Sequence, residues 1–232
     1  LTLTQRKELA AKAFQHVALY DTIIAQYLRG NEAKPPPEEM TLGLRKVKEL
    51  RYGENPHQKG YLYSNALLDN GITSAEQLHG KELSFNNILD ANSAWTTVSD
   101  FPDQAVAIIK HTNPCGLASN TDQVEAYKRA LDGDSTSAYG GIVSFNRKVS
   151  AKTAEEMRKM FFEIIIAPSY EGDALDLLKK KKDLRIIEAK NNDLGHGYSL
   201  RQVSGGILVQ TADDPTEDPA SWQTVTDRKP TD

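Results

Sequence analysis

Between residues 104 and 189 the chain alternates short, continuous apolar runs with amphipathic segments, and this order restricts the fold more than any other feature. The runs are "QAVAIIK" (104–110), "GGIVSFN" (140–146), "EIIIAPS" (163–169) and "LRIIEA" (184–189), rich in β-branched residues. Such runs, with no polar face of their own, are strands buried on both sides. The intervening segments 121–134, 150–162 and 171–182 space their apolar residues as helices do, with Thr121 and Ser150 as caps and Gly133 as a stop. The resulting β-α-β-α-β-α-β order predicts an α/β fold: a mainly parallel sheet between helices, in three α/β/α layers.

The flanks are simpler. Residues 4–28 predict one amphipathic helix, with Leu9, Ala13, Val17, Ile24 and Leu28 on one side and Thr4 as its cap. Pro35, Pro36 and Pro37 then break any helix and read as a linker. Residues 46–65 predict a strand, a turn at Gly53-Glu54-Asn55-Pro56 and a returning strand. A helix follows over 84–101, with Ile88, Leu89, Ala91 and Trp95 on its apolar side. The tail, "LRQVSGGILVQTADD", adds a strand and a glycine turn before polar, proline-containing sequence. The start without methionine and the close on "TDRKPTD" lead us to expect a piece of a longer polypeptide.

Composition removes several classes of function. No run approaches the ~18–20 apolar residues of a membrane span, so no membrane partner is expected. A net charge of −4 offers no electrostatic footprint for nucleic acid. One cysteine in 232 residues excludes an internal disulfide framework and fits a reducing, cytoplasmic setting.

Chemistry is expected where loops leave the strands, because open α/β sheets bind ligands beyond strand carboxyl ends. "AIIKHTNPCG" (107–116) places Lys110 and His111 side by side at such an end. His titrates near neutral pH and accepts a proton; Lys donates one or holds an anion. A solvent-facing lysine beside a histidine bonded to a loop carbonyl has the same spacing, so the residues alone leave both readings open. Cys115 with His111 resembles half a zinc site, but Ala118 stands where the P-C-x-x-C pattern needs its second cysteine. No metal is expected, and Cys115 reads as a structural thiol. "RYGENPHQ" (51–58) concentrates polar groups around a turn, and Arg51 offers a planar fork for phosphate or carboxylate. A well hydrogen-bonded turn would look the same. "DSTSAYGG" (134–141) supplies hydroxyls, amides and two glycines but matches neither common phosphate-loop pattern.

Taken together, "LRYGENPHQ", "SFNNILDANSAW", "IIKHTNPCG", "SAYGGIVSFNR", "EIIIAPSY" and "LLKKKKDLRIIE" occur in the order found in AICAR transformylase/IMP cyclohydrolase, a bifunctional purine-biosynthesis family. The chain resembles the bacterial type over essentially its whole length. The resemblance implies a subdomain like that of the cytidine deaminases, without their zinc. It implies formyl transfer from 10-formyltetrahydrofolate, the co-substrate, to the 5-amino group of AICAR. In that reaction His111 matches the family's base near the amine, and Lys110 its acid near the folate N10 or the formyl oxygen. Arg51 and Tyr52 match an AICAR-contacting pair, Asn87 a further polar contact, Gly140 a backbone contact, and Glu163 an acidic residue that binds the nucleotide's sugar. It further implies this division: residues 1–30 close an otherwise absent cyclohydrolase domain, 31–45 form the linker, 46–212 form the first transformylase subdomain, and 213–232 lead to an absent second one. Family members are homodimers, and the missing half supplies most folate contacts. The chain alone is therefore expected to be inactive or nearly so. Two rivals are a non-catalytic α/β nucleotide- or anion-binding module and a zinc-dependent nucleobase deaminase.

Overall fold

A computed structural model describes residues 1–30, 35–67, 70–190, 198–211, 213 and 221–229. The chain opens with helix α1 (Leu3–Arg29) and a hairpin of β1 (Leu44–Leu50) and β2 (Gly60–Asn65). Strand β3 (Glu76–His79) and helix α2 (Phe85–Ser99) lead into β4 (Ala105–Lys110) and β5 (Asn113–Ser119). Then come α3 (Gln123–Gly133), the single turn α4 (Ser135–Ala138), β6 (Ile142–Phe145), α5 (Ala151–Met157), β7 (Ile164–Ala167), α6 (Gly172–Lys179) and β8 (Arg185–Glu188). These elements, with residues 1–30 and 41–194, make one compact unit. The second unit joins 31–40 to 195–232 and contains the antiparallel hairpin β9 (Tyr198–Val203) and β10 (Gly206–Thr211). Residues 31–34 of the expected linker, and 214–220 and 230–232 of the expected connector, lie outside the described residues.

Helix ends fall where side chains satisfy the free amides of the first turn. Thr2, not Thr4, caps α1 through a capping box with Gln5. Ser84 caps α2, Asp122 rather than Thr121 caps α3, and Ser150 caps α5. Ser150 and Gly133 thus stand where the sequence places them. The helices of 150–162 and 171–182 are shorter than predicted, ending at Met157 and Lys179.

The six-stranded sheet has the order β3-β8-β7-β6-β4-β5. Its centre, β6-β7-β8, is parallel as the alternation predicts. Strand β4 instead runs antiparallel to both β6 and β5, and β3 antiparallel to β8. The reversal of β4 has one source. The sequence reads 113–119 as a loop because it contains Asn-Pro and Gly, yet it is β5, paired with β4 from Ala105↔Ser119 to Lys110↔Asn113. The chain reverses once before α3 carries it back across β4, so β6 enters in the opposite direction to β4.

Period-two alternation splits the strand residues cleanly between two cores. Val106, Ile108, Val143, Phe145, Ile165 and Ile186 face α3, α5 and α6, meeting Tyr127, Met157 and Leu178. Ala105, Ala107, Ile109, Ile142, Ile164, Ile166 and Ile187 face α2, meeting Ala91, Ala94, Trp95 and Val98. These are the three layers expected. On α1, by contrast, Leu9, Val17, Ile24 and Leu28 are exposed, and Thr22 is its one buried residue among those described.

Gly116 fixes how closely α3 lies on β5. A Cβ built there would stand 1.9 Å from the Ala130 carbonyl oxygen, which is backbone and cannot step aside. Gly116→Ala should therefore lower stability by about 3 kcal/mol, the upper end of overpacking costs, in urea or thermal denaturation.

Candidate functional site

The link between β4 and β5 is two residues long, and both central residues are left-handed: His111 at φ 53° and Thr112 at φ 60°. This is the backbone of a type I′ hairpin turn, which favours Asn and Gly and disfavours a β-branched Thr. Several bonds hold it. The His111 and Thr112 amides donate to the two carboxylate oxygens of Asp90 at 3.3 and 2.8 Å. Ser93 Oγ donates to the Thr112 carbonyl at 3.2 Å. The His111 carbonyl accepts from Thr112 Oγ1 and Asn113 Nδ2, each at 2.7 Å. His111 is exposed at the tip, while Lys110 at the strand's end is half-buried.

The Lys110 ammonium donates to the Tyr139 carbonyl at 2.8 Å, tying β4 to the loop before β6. Next along that loop is Gly140, at φ 74°, whose amide donates to the Phe161 carbonyl at 2.9 Å. The Glu163 amide donates to the Gly141 carbonyl, and the Arg185 amide to the Glu163 carbonyl. Lys110, Gly140 and Glu163 therefore occupy one edge of the sheet. It is the carboxyl end of β4 but the amino end of β6, β7 and β8, because β4 runs against them. The rule that ligands bind beyond strand carboxyl ends therefore describes Lys110 but not Gly140 or Glu163, although the three residues still gather.

Glu163 carries a partner the sequence did not suggest. Arg185, 4% exposed at the start of β8, donates from Nη1 to Glu163 Oε2 at 2.6 Å and from Nε to the Glu82 carbonyl at 3.3 Å. A buried guanidinium needs such compensation. "LRIIE" reads as a plain buried strand, and the charged Arg185 second in it is the available signal.

The remaining predicted residues cluster at the amino end of α2. Arg51 lies over the Tyr52 ring at 5.1 Å. The Tyr52 carbonyl accepts from the Phe85 amide at 3.3 Å, and Asn86 Nδ2 donates to the Glu54 carbonyl at 3.1 Å. Asn87 Oδ1 accepts from the Ser84 amide at 3.1 Å as half of the capping box. One turn further along α2 is Asp90, so the helix connects the Arg51-Tyr52-Asn87 group to the hairpin tip. Asp90 and Ser93 escaped the sequence reading because polar residues inside a helix ordinarily face water.

Cys115 sits on β5 with its thiol pushed up, first by burial and then by the Asp134 carboxylate, against the opposing pull of Lys110. A raised thiol stays protonated, which fits a structural role. Among the described residues no group of three His, Cys, Asp or Glu side chains is arranged to hold a metal ion.

Fold and site together define a mixed α/β domain that presents a Lys-His pair on a strained hairpin beside a glycine loop. The sequence pattern of the AICARFT/IMPCHase bienzyme family matches residues 1–232, and the chain belongs to that family. It is 48% identical over 233 residues to the bifunctional purine biosynthesis protein PurH of Aquifex aeolicus, covering 100% of this chain and 45% of that protein. Against PurH of Thermoanaerobacter identity is 48% over 223 residues, covering 96% of this chain and 44% of the relative. Against PurH of Listeria monocytogenes it is 45% over 231 residues, covering 99% and 45%. The chain thus spans about 45% of the length of these curated relatives.

Two expectations follow. Glu163→Ala should destabilise the fold by about 1–3 kcal/mol, the cost of leaving the Arg185 charge short of an acceptor. Water reaching Glu163, whose side chain is 41% exposed, keeps this below the cost at a fully buried pair. Glu163→Gln, which retains an acceptor, should cost less in the same denaturation experiment. Alkylation of Cys115 by iodoacetamide at pH 8 should run slower than that of a free thiol, since less thiolate is present.

Proposed function

We propose that this chain carries the first AICAR transformylase subdomain of a bifunctional purine-biosynthesis enzyme, and with it the proton-transfer pair of formyl transfer. The observation that carries the reading is the hairpin tip: His111 is exposed on it, and Lys110 is tied to the carbonyl preceding Gly140. The AICAR amine is a weak nucleophile because its lone pair is delocalised into the imidazole and carboxamide. As its nitrogen bonds to the formyl carbon of 10-formyltetrahydrofolate, His111 takes the amine proton. Lys110 delivers a proton to the folate N10 or the formyl oxygen as the N10–C bond breaks. The products are formylated AICAR and tetrahydrofolate, with no net redox change. Arg51, Tyr52 and Asn87 hold AICAR, Gly140 meets it through its backbone, and Glu163 takes the sugar.

The division of the chain belongs to the same proposal. Residues 1–30 close a cyclohydrolase domain, a reading supported by the exposed apolar side of α1. Residues 31–45 link it to the transformylase subdomain of 46–212, and 213–232 lead to the second. The full-length protein cyclises formylated AICAR to IMP, works as a homodimer in the cytoplasm, and needs no metal in this subdomain. Neither nucleic acid nor membrane is a partner. No helix among the described residues is long and apolar enough to cross a membrane.

Formyl transfer is measured on the chain joined to the remaining portion of a relative's length. His111→Ala should lower turnover on the order of 10²–10⁴-fold while AICAR affinity holds. The present chain alone should turn over little or nothing. Family-like turnover by the 232 residues would overturn the incompleteness. Unchanged turnover in His111→Ala would favour the rival in which this α/β unit only binds a nucleotide or anion.

A further inference from the structure

We propose that Asp90 is the positioning residue for the Lys110–His111 pair: its carboxylate holds the left-handed turn that aims both side chains. The inference rests on the formyl-transfer reading for its catalytic consequence but not for its structural one.

The turn is one the local sequence would not choose. His111 and Thr112 both have positive φ, and neither is glycine. For a β-branched residue that conformation is a true outlier, and such residues persist only where surrounding bonds over-determine them. Here the two amides of the turn point at one carboxylate, at 3.3 and 2.8 Å, and Ser93 secures the Thr112 carbonyl from the same helix. An ionised carboxylate accepting two amide protons is among the stronger hydrogen-bond arrangements. The platform behind it is rigid, since Ala91, Ala94, Trp95 and Val98 bury α2 against the sheet. The turn bonds of Thr112 Oγ1 and Asn113 Nδ2 end on the His111 carbonyl and leave the two amides to Asp90.

Losing the carboxylate frees the tip to relax toward right-handed backbone, which swings the imidazole and shifts the end of β4. Arg51 and Tyr52, on another segment, stay in place. The signature is therefore a loss in kcat with little change in KM for AICAR. A displacement of about 1 Å at reacting groups is enough for a loss of about 10²-fold.

Two readouts test this. In the 232-residue chain, amide exchange followed by NMR should show the His111 and Thr112 amides exchanging roughly tenfold or more faster in Asp90→Ala. In the chain joined to the remaining portion of a relative, Asp90→Ala should lower kcat about 10²-fold. Adding Thr112→Gly, which accepts positive φ without strain, should restore most of that kcat although the amides stay unprotected. If Asp90→Ala does not fold, Asp90→Asn, which keeps one acceptor, should give intermediate values of both readouts. Unchanged exchange, or faster exchange with unchanged kcat, overturns the proposal. So does a loss that Thr112→Gly fails to restore and that raises KM equally, since Asp90 would then contact substrate itself. Failure of the formyl-transfer reading is distinguishable: His111→Ala would leave turnover unchanged, while the exchange arm would still report on the turn.

Discussion

The reversal at His111 and Thr112 is the constraint on which the rest of the arrangement depends. Because two residues suffice to turn the chain, β5 lies beside β4 and the sheet gains an edge strand. Because β5 is followed by α3, the next strand enters on the far side of β4 and against it. The end of β4 thereby meets the beginnings of β6, β7 and β8. A loop in place of the hairpin would leave β4 parallel to its neighbours, with Lys110 at the opposite edge from Gly140 and Glu163. Backbone strain at two residues and the placement of the Lys110–His111 pair are thus one feature, and strain of this kind gathers at functional sites.

The layered fold was legible because burial on both faces leaves an unmistakable mark. Val143, Ile165 and Ile186 belong to one core and Ile142, Ile164 and Ile187 to the other, so consecutive strand positions are apolar rather than alternating. Strand β5 was not legible, since Pro114 and Gly116 are loop residues by local preference. Tertiary context overrides that preference: β5 is an edge strand, where proline is tolerated, and Gly116 is the point at which α3 approaches most closely. The pair at 110–111 stands out by its chemistry, but a rule about parallel strands does not place it, because β4 runs antiparallel to both its neighbours. Its supports, Asp90 and Ser93, carry no pattern of their own, because a polar side chain inside a helix is informative only once its partner across space is known.

The charge at the other end of the edge follows similar logic. Arg185 begins a buried strand, and it is accommodated because Glu163 immediately precedes the neighbouring one, whose first residue, Ile164, pairs with Arg185. Parallel pairing brings the two starts together, so register does the work that sequence proximity does in a helix. The carboxylate is held by one oxygen, Oε2, on the guanidinium side. The side chain as a whole is 41% exposed. A carboxylate oriented this way is fixed in direction before any ligand arrives.

Such fixing bears on what a chain spanning about 45% of its relatives' length holds in place by itself. Lys110 is anchored to the Tyr139 carbonyl, Gly140 to the Phe161 carbonyl, Glu163 to Gly141 and Arg185, and the hairpin tip to Asp90. Every one of these bonds lies within the single unit formed by residues 1–30 and 41–194. The geometry of this end of the sheet is therefore set by bonds to its own strands and to α2. Preorganisation of this kind has a general consequence: where groups are held in place by their own fold, binding energy goes to the ligand rather than to ordering the groups that meet it.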